Sequence, residues 1–223
     1  MAEHPPSGLT RELIALRVAR ELRDGSVVNL GIGLPTLVSN FVDPGQRILL
    51  QAENGILGYG KISEGEFDLD LINAGGQPVT LQPGASFFHS ADSFAMIRGG
   101  HIDTAVLGGL QVSEHGDLAN WSVPERGGGG IGGAMDVAVG ARRVIVAMAH
   151  TTRDGEPRIL RQCTYPLTAA RCVNLIVSDL AVIDVRPDGL LLRETAPGVS
   201  AEQVQQFTGA RLDISADLHE MAL

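Results

Sequence analysis

The chain has 223 residues, 44% of them hydrophobic and 19% charged, with a formal net charge of -9. That is enough apolar material to bury the core of one generous domain, and the acidic balance excludes the basic face that nucleic-acid binding requires. No apolar run reaches the ~18 residues of a membrane helix, and the opening MAEHPPSGLT has neither the basic nor the apolar region of a signal peptide, so a cytoplasmic protein is expected.

In chain order, residues 1–9 are expected to form a disordered tail. Thr10 is an N-cap, and Ile14, Val18 and Leu22 recur as the apolar stripe of a first helix. Arg17 with Glu21 and Arg20 with Asp24 fall at i, i+4 on its wet side, and Gly25 ends it. Residues 26–30 read as a strand and 31–35 as a tight strand-to-helix turn, with Pro35 near the first helical position. A short helix to about Val42 is closed by Asp43-Pro44-Gly45. Residues 47–52 form a second strand that runs straight into Glu53-Asn54-Gly55. The stretch 61–70 is acidic and irregular, 90–98 reads as a helix and 102–107 as a buried strand. A hairpin is expected over 112–121, around Glu114-His115-Gly116-Asp117. The glycine-rich run 127–133 leads into a helix from Ala134, and 144–149 is a strong buried strand. Two strands near 180–185 and 190–195 are joined by Arg186-Pro187-Asp188-Gly189. Ser200-Ala201-Glu202-Gln203 is a capping box whose helix stops at Gly209. No repeat or linker interrupts this alternation. It predicts a single domain over 1–223 of α/β class, with a mixed, largely parallel sheet flanked by helices.

Three glycine clusters could cradle a ligand. Gly31-Ile32-Gly33 lies between a strand and a helix, the right context for an anion, but it lacks the third glycine of a dinucleotide fingerprint and serves equally well as a tight turn. Residues 55–61 match GxxxxGK, yet Ile62 stands where a magnesium-binding Ser or Thr should be, so coincidence is the better account. Gly128, Gly130 and Gly133 spell GxGxxG with no strand close before them, which leaves a loop whose last amides open a helix. Glu53 ends an apolar strand. A carboxylate there is costly unless it has partners or a task, although by residue type alone an exposed turn residue is the simpler account. Cys163 and Cys172 form no CxxC, the six histidines no HxxxH pair, and nothing completes a metal pattern.

The segment Leu50-Gln51-Ala52-Glu53-Asn54-Gly55-Ile56-Leu57-Gly58 resembles the catalytic signature of the family I CoA-transferases in their B subunit. Further blocks are similar in the same order, among them Asn29-Leu30-Gly31-Ile32-Gly33-Leu34-Pro35, Phe94-Ala95-Met96-Ile97-Arg98-Gly99-Gly100, Gly132-Gly133-Ala134-Met135-Asp136 and Cys163-Thr164-Tyr165-Pro166-Leu167-Thr168. The resemblance implies a CoA-transferase-like fold and an A-subunit partner, the two together forming α2β2. Glu53 would be the nucleophile and the Gly133 backbone N–H an oxyanion donor, with Asn54, Gly55 and Gly132 binding substrate. CoA moves from an acyl-CoA, succinyl-CoA foremost, to a 3-oxo acid through a glutamyl-CoA thioester. CoA enters as a substrate, and no metal or other cofactor is called for. The 127–133 run and the Cys163 block lean toward 3-oxoadipate, and so toward aromatic degradation, over acetoacetate. An acyl-CoA hydrolase and a non-catalytic partner on the same fold stay open. Two departures stand out: Ala52 replaces the family's usual Ser, and Gly76 stands where many members have Lys.

Overall fold

A computed structural model describes residues 5–65, 67–127 and 129–223. Of the tail expected at 1–9, residues 1–4 lie outside the described residues, and the Leu9 N–H donates to the Asp179 carbonyl at 2.9 Å. Helix α1 (Arg11–Ala19) starts as its sequence dictates: the Thr10 side chain accepts from the Leu13 N–H, and Ile14 and Val18 are buried. Two expectations are corrected here. Arg17 is not on a wet face. It is buried because α1 lies across the sheet, and its guanidinium donates to both oxygens of Glu194 and to Glu21. Gly25 is not the helix cap. The helix closes at Arg20, while Gly25 turns the chain into the next strand with its N–H on the Arg47 carbonyl.

Strand β1 (Val27–Leu30) is followed by a 3-10 helix (Pro35–Phe41) and then by β2 (Leu49–Ala52), β3 (Ile56–Ile62) and β4 (Val79–Phe87). Helix α2 (Ser90–Arg98) precedes β5 (Thr104–Gly108) and the hairpin of β6 (Gln111–Ser113) and β7 (Leu118–Ala119). Helix α3 (Ala134–Gly140), β8 (Val144–Met148), β9 (Ile159–Leu160), β10 (Leu175–Ser178), β11 (Ala181–Arg186), β12 (Gly189–Thr195), α4 (Ala201–Gln206) and β13 (Leu212–Glu220) complete the chain. The capping box of α4 is present in both directions, Ser200 to Gln203 and back.

The main sheet has ten strands in the order β13-β12-β11-β10-β8-β5-β1-β2-β3-β4, and β7-β6-β9 form a small second sheet. The centre, β10-β8-β5-β1-β2, is parallel throughout, while β11 and β3 turn it antiparallel on either side. The central strands are buried runs of Val, Ile and Leu, as a sheet covered on both faces requires. From β1 the chain builds outward to β4, then returns to lay β5 on the other side of β1. The carboxyl ends of β1, β2 and β5 therefore part at a topological switch point, where open α/β sheets place their ligand crevices. Among the described residues, no helix is long and apolar enough to cross a membrane.

Candidate active site

A cavity of 390 Å³ opens at this switch point. Its floor is the ends of β1 and β5, from Asn29 to Ile32 and from Leu107 to Leu110, and its far wall is the stretch from Gly130 to Ala134 that opens α3. Asn120 and Trp121, just beyond β7, close one side. Among the lining residues Glu53 carries the one formal charge.

Glu53 follows the last residue of β2. Its backbone is set by the turn to β3, where the Gly55 N–H donates to the Ala52 carbonyl at 3.0 Å. Gly55 has φ +113°, and an added Cβ would run into the Phe88 carbonyl, so only glycine fits this turn. The Glu53 carboxylate has no hydrogen bond and no ion pair among the described residues. Burial foremost, with the negative Asp136 beside it, holds its carboxyl above the usual carboxylate range. A Cβ added to Gly133 would crowd one of the Glu53 oxygens, Oε2, as well as the Phe94 ring. The glycine at 133 therefore leaves room for the carboxylate and the ring to pack close to the start of α3.

A buried polar chain stands behind the strand end. Asn29 and Gln51 are paired in register across β1 and β2, and Asn29 Nδ2 donates to Gln51 Oε1 at 2.6 Å. Gln51 Nε2 donates to Ser93 Oγ on α2, and Ser93 in turn donates to the Ala52 carbonyl at 3.0 Å. On the opposite side Arg98 pairs with Asp136 at 2.7 Å and stands 5.8 Å over the Phe94 ring.

Of the residues singled out by sequence, Glu53, Gly132 and Gly133 share the cavity. Asn54 and Gly55 do not line it: Asn54 Nδ2 is engaged with the Ile72 carbonyl at 2.7 Å, bracing the hairpin instead. Gly76 lies in the turn after Ala74, and Ala74 does line the cavity. The GxGxxG match includes Gly128, which lies outside the described residues. Sequence reasoning passed over Asn29, Gln51, Ser93, Arg98 and Asp136. A signal for the first two existed, because each is a carboxamide inside an otherwise apolar strand. Among the described residues no cluster of His, Cys, Asp and Glu could hold a metal ion.

Residues 11–206 match the family model described as Coenzyme A transferase. The chain is 52% identical over 209 residues to the beta subunit of the acetate CoA-transferase of Escherichia coli, covering 94% of this chain and 96% of that protein. It is 52% identical over 205 residues to the B subunit of the succinyl-CoA:3-ketoacid coenzyme A transferase of Helicobacter pylori, covering 92% and 99%. To the B subunit of the 3-oxoadipate CoA-transferase of Acinetobacter baylyi it is 48% identical, covering 92% and 95%. The acyl-CoA transferase YdiF of Escherichia coli O157:H7 has the same fold, with a TM-score of 0.76 at 22% identity. That match covers 100% of this chain but 45% of the other, so this chain spans less than half of that protein's length.

Proposed function

The chain belongs to the coenzyme A transferase family, and we propose that it is the B subunit of a transferase moving CoA from an acyl-CoA, succinyl-CoA foremost, to a 3-oxo acid, with Glu53 as the group that exchanges partners. The observation that carries the reading is the state of Glu53: a half-buried carboxylate with a raised pKa and, among the described residues, no cation or hydrogen bond to quiet it, at the carboxyl end of a parallel strand. A carboxylate held by Arg would be a structural anchor. One stripped of water and left unpaired is prepared to attack.

The bonds balance without ATP. A Glu53 oxygen attacks the acyl-CoA carbonyl carbon and the C–S bond breaks, leaving an acyl-glutamyl anhydride and CoA thiolate. The thiolate attacks the glutamyl carbonyl, expels the first acid as its carboxylate and forms the glutamyl-CoA thioester. The incoming acid runs the same two steps in the opposite sense, which regenerates Glu53. Each tetrahedral intermediate carries an oxyanion beside Gly133. A backbone N–H aimed at such an oxygen contributes about 3 kcal/mol in sites where a single donor has been removed.

The anhydride must be kept from water, and this cavity is open on one side. With Glu53 as its one charged lining residue among the described residues, no cation for the acid's carboxylate is found among them. Both needs fall to an A-subunit partner, in an α2β2 assembly. The curated relatives named above are called acetate, 3-ketoacid and 3-oxoadipate enzymes at 48 to 52% identity, so overall likeness does not choose the acid. The 127–133 run and the Cys163 block put 3-oxoadipate ahead of acetoacetate. The test is to assemble the chain with its A-subunit partner and measure succinyl-CoA-dependent thioester formation on both acids, for wild type and Glu53→Ala. Hydroxylamine after acyl-CoA should mark Glu53. Near-wild-type turnover by Glu53→Ala would sink the assignment.

A further inference from the structure

The geometry points to helix α2 as the gauge that sets the spacing between the Glu53 carboxylate and the Gly133 backbone, a role that rests on Glu53 being the nucleophile. The carboxylate makes no bond of its own, and Gly133 ends a long glycine-rich loop. Neither half of the site holds the other in place. Their separation has to come from a third body that touches both.

Helix α2 is that body. Ser93 is fully buried and fastens the nucleophile side. It donates to the Ala52 carbonyl at 3.0 Å, in the peptide that leads into Glu53, and accepts from Gln51, which is tied to Asn29. Phe94, the next residue, fastens the other side. Its ring edge lies against Gly133 so closely that an added Cβ would stand 2.7 Å from Cζ. One turn on, Arg98 covers the same ring and donates from Nε to Asp136 in the first turn of α3 at 2.7 Å. Close packing of the Gly140 backbone on the Ile97 carbonyl seats the far end of α3. A single rigid element thus grips the nucleophile strand through residue 93 and the facing helix through residues 94, 97 and 98. Attack geometry and oxyanion hydrogen bonds are sensitive to displacements of about 1 Å, which can cost about 100-fold in rate. A gauge of this kind governs turnover rather than substrate binding.

Arg98 separates this role from ordinary packing, because its side chain is 66% exposed and an exposed ion pair adds little to stability. In the full chain assembled with its A-subunit partner, Arg98→Ala should lower kcat about tenfold or more while KM for acyl-CoA stays within about threefold. Melting temperature should hardly move, and Arg98→Lys should recover most of the rate. Ser93→Ala should act in the same direction. The double variant should fall no further than about its slower parent, since one distance is loosened either way. Wild-type kcat in Arg98→Ala, or losses that multiply in full in the double variant, would overturn the gauge. If Ser93→Ala does not assemble, Arg98→Ala with its Lys rescue decides alone. Glu53→Ala run in parallel keeps the two readings apart: a dead Glu53→Ala with an unimpaired Arg98→Ala removes only the gauge.

Discussion

Burial and the Asp136 charge both oppose ionisation of Glu53, and that has a measurable cost. Its folded pKa is raised, so the folded chain binds the proton more tightly than the unfolded one. Stability therefore falls as pH rises through the raised pKa and stays lower above it. Glu53→Gln should abolish transfer and at neutral pH raise the melting temperature. The gain should vanish well below the ordinary carboxylate pKa, where both forms are neutral. A Gln variant that melts lower at neutral pH would contradict this. His150 makes the opposite case. It is fully buried between Ser178 and Thr208, and desolvation lowers its pKa to about 4. The unfolded chain takes up a proton near pH 6.5, so stability is complete above that pH. It is lost as pH falls toward 4, on the order of 3 kcal/mol over the window. Denaturant titrations at pH 7.5 and 4.5 should show this slope, and His150→Gln should flatten it. The turn that aims Glu53 is equally specific. Gly55→Ala meets both a forbidden φ and the Phe88 carbonyl, and should lose about 3 kcal/mol or more of stability, read as a drop in the denaturation midpoint.

At the scale of elements, α1 is fastened to the far side of the sheet by charge. Arg17 bonds Glu194 of β12, and Glu21 collects Arg17, Arg143 and Arg193. Burial alone would raise the Glu21 pKa, but the hydrogen bonds from Arg143 and Arg17 and the Arg193 charge bring it down to about 2. Arg17→Leu strands Glu194 without its main partner and should cost about 3 to 5 kcal/mol, seen as a fall in melting temperature of about 10 °C. The sequence could show Arg17 and Glu21 at i, i+4 but not the strand beneath them, and that hid the burial. Elements with one dominant pattern were legible: the residues of α2, the start of α3 at Ala134 and the Ser200 box all stand where their patterns put them. Strand β3 was not, because Gly58 and Gly60 look like a loop until Ala85 and Thr80 of β4 are seen packed against them. Strand β4 is interrupted by Pro83-Gly84, and edge strand β13 alternates too many acidic residues to read as sheet. Of the candidate site, the resemblance singled out Glu53 and Gly132-Gly133, which share the cavity. The polar chain behind them was not, because its members come from three elements whose register no local pattern encodes.

At the scale of the molecule, apolar side chains are left in water: Ile32, which lines the cavity, is 65% exposed and Val139 on α3 75%. Together with the open side of the cavity, they call for a partner surface. The isolated chain should be inactive as a transferase, and adding the A-subunit partner should restore activity while burying about 2,000 Å² or more, as obligate complexes do. Full activity from this chain alone would require the two-subunit reading to be dropped.

Much of the cavity wall is bare backbone, and this sets the direction in which descendants of the enzyme can drift. Glycines line it at 31, 108, 109, 130, 132 and 133, and a residue without a side chain has nothing to trim. Single substitutions at these positions can therefore only narrow the chamber. They can do so at few points: a Cβ at Gly109 would collide with Val146 and Met148 and one at Gly133 with Phe94, whereas Gly108 and Gly130 have open space before them. Gly108→Ala should fold normally and shift preference toward the shorter acid, by about 10-fold or more if the methyl group meets the longer one. Acceptance of larger acids would have to arise elsewhere, by trimming a lining side chain such as Trp121 or Ile131, or by changes in the partner that roofs the chamber. A lineage that has narrowed its glycine wall would then find the way back through those side chains or that partner.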